Sequence, residues 1–506
     1  MKSKKIMGCL GILMAAATFT ACSSSDDTTE DNKQTSTYVW GADGSIKTCD
    51  HLLFASGKED TNGTEIGNGD QEFIFTGKQT LKKGTYLLHG WVYVRDGAEL
   101  TIEPGTIIKG IKGSKAALII ERGGKLYAQG TKDAPIVFTS AQPKGERRPG
   151  DWGGLIICGK AKNNQTEMQI EGGPRTKHGG DNDADNSGIL SYVRVEFAGY
   201  PFQTDKEING ITFGSVGSNT QVDHVQVSYS NDDSYEWFGG AVNCKYIIAY
   251  RGWDDDFDTD NGFSGKVQYG LAWRDSKIAD VSQSNGFESD NCADGAAVSP
   301  YTSCTFSNIT FVGPRVDANF VNDASYIDAG DVNPKNGSSL GKFQAAMHIR
   351  RNSHLNCFNS LILGWPIAVI IDNEKGNSQA AATDGTLELN HIWAANYEIL
   401  GSDMNKLYKD ELVTDYKEKT TDASQQSFSH TWFLTSTYAN AEKTAEDLAL
   451  DASKHYMPSA SSAVLSAAEF SSAKLVGMET VSFIGAFGSE DWTEGWTNFD
   501  PQNADY

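Results

Sequence analysis

Between residues 188 and 396 the apolar positions recur with a fixed internal spacing: one apolar residue, then others three and five places on. The triplets are Leu190/Val193/Val195, Val222/Val225/Val227, Cys244/Ile247/Ala249, Phe306/Ile309/Phe311, Phe358/Leu361/Leu363 and Leu389/Ile392/Ala394, with a weaker copy at Val267/Gly270/Ala272. The second and third triplets are 22 residues apart, and the weaker copy follows the third by 23. The last two apolar residues of each triplet flank one residue of other character, the alternation that puts both on one face of a strand. A short strand followed by Gly, Asn and Asp, returning about every twenty residues, predicts one coil of a parallel β-helix. Wider spacings, such as the 52 residues from Phe306 to Phe358, are then coils with inserted loops. Upstream, short apolar runs in residues 86–140 are broken by "DG", "PG" and "GG" turns in the same style. A β-sandwich also uses short strands and turns, but near-constant spacing favours the solenoid. The expectation is an all-β, parallel β-helix over residues 80–400, with Val193, Val225, Ile247, Ile309, Leu361 and Ile392 stacked inside it.

The ends depart from this pattern. Residues 38–79 read as an N-terminal cap region and 401–506 as an irregular C-terminal capping region, since a solenoid's open edges need covers. Within the latter, "NAEKTAEDLALDASK" has the spacing of an amphipathic helix. The first 22 residues, "MKSKKIMGCLGILMAAATFTAC", have a lysine-rich start, an apolar run too short to stay as a membrane span, and small residues before Cys22. This is an export leader over residues 1–21. Its ending resembles the lipobox of bacterial lipoproteins, with Phe19 where Leu is usual, which implies that Cys22 carries the lipid. Residues 22–37 are polar and acidic, a tether without a core.

A formal charge of −23 argues against nucleic acid as a partner, because neutralising phosphates needs clustered Lys and Arg. After the leader no apolar run reaches transmembrane length, so the membrane is met through the lipid alone. Of the six later cysteines, Cys292 and Cys304 are the expected disulfide pair; no CxxC spacing marks a zinc site.

Several phrases together are distinctive: "GAELTIEPGTIIKG", "DWGGLIICGKA", "DNSGILSYVRVEFAG", "VQVSYSNDDSYEWFGG", "DDDFDTDNGFSGKVQ", "HIRRNSHLNCFNSLILGWP" and "FIGAFGSEDWTEGWTNFDP". They resemble a Bacteroidota outer-surface lipoprotein family of the right-handed, pectate-lyase-like β-helix type. The resemblance implies a right-handed helix and an outward-facing, lipid-anchored location on the outer membrane, and it implies little about activity.

The densest chemistry is "RGWDDDFDTDNGFSG", with Asp254, Asp255, Asp256, Asp258 and Asp260 within seven positions. A shift of 22 residues sets Asp232, Asp233 and Glu236 over Asp254, Asp255 and Asp258. Unit charges on strands ~4.8 Å apart repel by about 1 kcal/mol even in bulk water. Either these side chains splay into solvent, or a cation sits among them; Ca²⁺, with its six to eight oxygen ligands, suits the residue types. The spacing is not that of an EF-hand, since Asn261 and Val267 replace the required Gly and Glu. The aromatic residues nearby, Tyr235, Trp237, Trp253 and Phe257, either grip a sugar ring or stack inside the coils. Arg350 and Arg351 either clamp an anion or pair with an acidic turn. The leading expectation is a surface lipoprotein that binds a glycan or charged small solute without catalysis and hands it to an outer-membrane TonB-dependent transporter. The alternatives are a polysaccharide lyase or glycoside hydrolase, with Arg251 or Arg274 as base in the lyase case, and an adhesin or structural surface protein.

Overall fold

The computed structural model of the protein describes residues 37–40, 46–49, 63–67, 69, 72–165, 168–202, 208–403 and 426–506. The leader, Cys22 and nearly all of the tether lie outside them. The chain is an all-β parallel β-helix. One wall is an 11-stranded parallel sheet in which neighbours follow sequence order. It includes Ile211–Gly214, Tyr235–Phe238, Phe257–Asp260, Phe287–Ser289, Ala345–Ile349 and Ile367–Ile371. The other wall stacks Gly188–Glu196, Gln221–Ser228, Asn243–Tyr250, Lys266–Trp273, Thr305–Val312, Asn356–Leu363 and Leu389–Ala395, again parallel and in order.

The long strands are bent, and the bend explains the unusual apolar spacing. Gly188–Glu196 pairs through its first half with Lys125–Gln129 and through its second with Ile136–Ser140, so two strands of an early coil become one later. At the join sits a residue in the left-handed region: Tyr192, His224, Tyr246, Tyr269, Asn308, Asn359 and His391, with φ between 48° and 64°. Each stands two places after the first apolar residue of its coil and turns the chain, so the next inward positions fall at three and five rather than two and four. For a residue other than glycine that conformation costs roughly 1–2 kcal/mol. Packing offsets it: the rings stack along the helix, Tyr192 on His224 at 4.3 Å, His224 on Tyr246 at 4.5 Å and Tyr246 on Tyr269 at 4.8 Å.

Inside, Val193, Val225, Ile247, Gly270 and Ile309 form one column, in line with the weaker triplet and four of the expected core residues; Ile392 continues it beyond Ser360. Leu361 does not join it. Phe306 pairs with Cys357 and Phe311 with Ile362, so the inward set of that strand is Cys357, Ser360 and Ile362, while Leu361 and Leu363 face an outer apolar cluster. The strand is buried on both faces, which removes the polar positions that would have fixed its phase.

Residues 427–443 close the C-terminal end of the stack: helix Phe428–Phe433 packs on Ile367–Ile371 and Ile399–Ser402, and Ala441–Lys443 pairs with Leu389–Ala395. The chain then returns over the outward face of the bent strands. Side-chain amides grip its backbone on both sides, donating to the carbonyl and accepting from the N–H: Asn359 with Glu469 (3.0 and 2.9 Å), Gln268 with Glu479 (2.8 and 2.8 Å), Gln226 with Asn498 (2.8 and 2.9 Å). Trp496 meets Tyr192 and His224 edge-on, and the Tyr506 hydroxyl donates to Glu196. Of the expected amphipathic helix only Ala445–Leu448 is α-helical, with a single 3₁₀ turn at Ala452–Lys454. Ala449 leaves the helix with a positive φ, and Leu448 and Leu450 dock on the outer cluster instead.

Cys158, Cys244, Cys292, Cys304 and Cys357 are all free and buried. The expected Cys292–Cys304 bond is not formed: the Cys292 thiol donates to Asp294, and Cys304 points into the core. Among the described residues no helix is long and apolar enough to cross a membrane.

Candidate functional site: an acidic face

Along the 11-stranded sheet the outward column changes character coil by coil: Ile119, Ile156, Thr212, Glu236, Asp258, Glu288, His348, Ile370. Alternation of side chains across a strand makes the middle of it. Tyr235-Glu236-Trp237, Phe257-Asp258-Thr259 and Phe287-Glu288-Ser289 each turn a ring inward and an acid outward. The turn preceding these strands adds a second set. Asp233 Oδ1 accepts the Asp255 N–H at 2.9 Å, Asp255 Oδ1 accepts the Asn285 N–H, and Asn285 Oδ1 accepts the Ala345 N–H at 3.2 Å. Asp233 and Asp255 therefore tie successive coils together while lining the face.

The stacking predicted from the 22-residue shift is seen for Glu236 with Asp258 as strand partners and for Asp233 with Asp255 through its bond. Among the described residues three sets of carboxylate oxygens come within 4.8 Å of one another: Asp232/Asp233/Asp254, Asp233/Glu236/Asp258 and Asp255/Asp258/Glu288. Two clefts open over them. One, of about 720 Å³, runs over Asp232, Asp233, Glu236, Asp254 and Asp258; the other, of about 340 Å³, runs over Asp255, Asp258, Glu288, Arg350, Asp372 and Lys375. Asp254 Oδ1 and Asp258 Oδ1 are buried and receive no hydrogen bond among the described residues. Burial pushes the carboxyls of Asp233, Glu236, Asp254, Asp255 and Asp258 well above the usual carboxylate range, and like-charged neighbours push them further. Asp260, paired across the sheet with Phe238, lies outside the three sets; burial and Asp290 push it up to about 8.

Other residues singled out from the sequence lie elsewhere. Asp256 is beneath the face, fully buried against Arg274 at 2.9 Å; burial raises its pKa to about 6 against the pull of Arg274. Tyr235, Trp237, Trp253 and Phe257 are completely buried. The Tyr235 hydroxyl donates to the Val225 and Ile248 carbonyls, and Trp237 stacks between Phe213 and Phe263. They hold the coils and offer a ligand no ring face. Arg350 bonds Glu288 and Asp290, and Arg351 bonds Asp290 at 2.7 Å, at the edge of the smaller cleft. Arg274 is buried and Arg251 is held by Tyr229 and Asp275, so neither lines a cleft. Glu288 was missed by the sequence reading, although the ring–acid pair at 287–288 repeats those at 235–236 and 257–258. His348, bonded to Asp372 at 2.5 Å, carried no sequence signal beyond its position.

A parallel β-helix with an acidic outward face and two clefts over it defines the class of protein. Residues 74–497 match the family described as "Pectate-lyase like beta helix domain", and the chain belongs to that family. No curated protein and no solved structure matches it.

Proposed function

We propose that the protein is a lipid-anchored binding protein of the outer cell surface that holds Ca²⁺ on its acidic face. Through that face it would take up a glycan or charged small solute, without catalysis, for an outer-membrane TonB-dependent transporter. The observation that supports this most is the chemistry of the face. Oxygens up to 4.8 Å apart can share one ion with bond lengths of ~2.4 Å, and all the donors in the three sets are carboxylates. Asp254 and Asp258 each carry a buried oxygen without a donor, an arrangement costly for a carboxylate unless a cation satisfies it. Asp233, Glu236 and Asp258 would hold the central ion, with Asp232 and Asp254 on one side and Asp255 and Glu288 on the other. The anchor rests on the leader and Cys22.

Calorimetric titration of chelator-treated protein with Ca²⁺, followed by a panel of glycans and charged solutes, tests the reading. Saturable Ca²⁺ binding and a ligand bound without product formation are expected. Absence of any Ca²⁺ binding would remove the metal, and new unsaturated or reducing ends would replace binding with catalysis. That second reading, a polysaccharide lyase or hydrolase, is favoured by one observation: Arg350 and Lys375 share the smaller cleft with carboxylates.

A further inference from the structure

We propose that the walls facing residues 500–506 form a peptide-binding socket, whose occupant can be exchanged for the same segment of a second copy of this chain. The walls come from coils far back in the sequence. Arg147 Nη1 donates to the Pro501 and Ala504 carbonyls at 2.8 and 2.9 Å, and Lys109 Nζ donates to the main-chain oxygen of Tyr506 at 3.0 Å. Gly145 and Gln502 exchange two bonds of 2.9 Å, and the Tyr506 hydroxyl donates to Glu196 at 2.7 Å. The Arg147 guanidinium lies 4.7 Å over the Tyr506 ring, and Lys144 pairs with Asp505 at 2.9 Å. Main-chain bonds with one side-chain pocket are how a protein reads a peptide.

Two observations make the segment separable and its place worth refilling. The outer apolar cluster takes in Trp492, Trp496 and Phe499 but no residue of 500–506. Hydrogen bonds and charge therefore hold the segment, and it can part from the rest at Phe499. The charged walls, by contrast, are built in: Lys109, Arg147 and Glu196 are 1%, 3% and 0% exposed. Lifting the segment takes from each the partner just named, and a buried charge that loses a partner is costly. A second copy supplies every recognised group at the same spacing, which is how exchange of identical elements makes dimers. Seven extended residues span about 24 Å, enough to cross between touching copies. Docking within one copy competes at an effective concentration of about millimolar, so exchange appears where copies crowd or the segment is loosened.

The test is complementation between two full-length variants, read by analytical ultracentrifugation. Lys144→Glu and Asp505→Lys change exposed side chains, so both variants keep the fold. In each alone the segment meets a like charge; in a mixed pair that exchanges segments, both contacts regain opposite charges. Each variant alone is expected to stay monomeric, and the equal mixture to hold several-fold more dimer than either. A stronger pair sets Arg147→Gln, with a damaged socket, against Tyr506→Ala, with a damaged segment; their mixture should dimerise at least tenfold more than either alone. No mixed dimer in either pairing would make residues 500–506 a fixed brace and overturn the proposal. Dimers equally abundant in the unmixed variants would place the contact elsewhere and overturn it as well.

Discussion

Asp258 and Asp256 stand two positions apart in one segment and do opposite things. Asp256 is locked to Arg274 with no exposure on either side. Removing one partner of such a pair strands the other's charge, so Arg274→Met should cost about 3–5 kcal/mol in urea denaturation, and Asp256→Asn combined with it should recover most of the loss. Asp258 faces like charges instead. Asp258→Asn is expected to raise the melting temperature of metal-free protein by relieving repulsion, and to shrink the rise produced by Ca²⁺. For the unsubstituted protein that rise corresponds to about 2.7 kcal/mol at a hundredfold excess over Kd. A Ca²⁺-induced shift unchanged by the substitution would place the ion elsewhere. Net charge and spacing pointed to this face from the sequence alone. They did not separate Asp256 from Asp258, because that depends on an arginine 18 residues away in the next coil.

At the scale of the element, most of the architecture was legible and its phase was not. The recurring triplets located the long strands because each coil repeats the same left-handed bend. Where Cys357–Ser360–Ile362 turns inward the triplet was misplaced by one, since Phe358, Leu361 and Leu363 are buried too. Asn359 held the correct phase, as asparagine is among the few residues at ease with positive φ. Its backbone preference can be separated from its grip on Glu469. Both Asn359→Gly and Asn359→Ala lose the grip, but alanine should be the less stable by about 1 kcal/mol, despite glycine's greater freedom when unfolded. Equal midpoints in urea would mean the bend carries no strain. The aromatic residues were ambiguous for a related reason. Tyr235, Trp237 and Phe257 alternate with acids, and alternation says that ring and acid face opposite ways without saying which is outside.

At the scale of the molecule, the raised carboxyls make stability depend on pH. The folded protein holds protons that the unfolded chain releases near pH 4, so metal-free stability should fall as pH rises above about 4, with Asp260 contributing to the decline up to about 8. Ca²⁺ should flatten that decline and release protons on binding, measurable as a buffer-dependent heat. A metal-free melting temperature that climbs over this range would contradict the protonation of the face. The anchor is checked separately: Cys22→Ala should move the protein from the membrane fraction to the soluble one.

The returning segment changes what kind of polymer the molecule is. A stack of coils has interactions only between neighbours and can unravel from either end like a one-dimensional array. Residues 464–506 add ties across that array, the longest joining Lys109 to Tyr506 over 397 positions of sequence. Slipping any one coil would displace grips on several others, which couples them into a single cooperative unit. These residues follow every coil in chain order, so the coils are made before the segment that locks them. Without them, hydrogen exchange should reveal graded fraying inward from the ends; with them, protection should be lost everywhere at once.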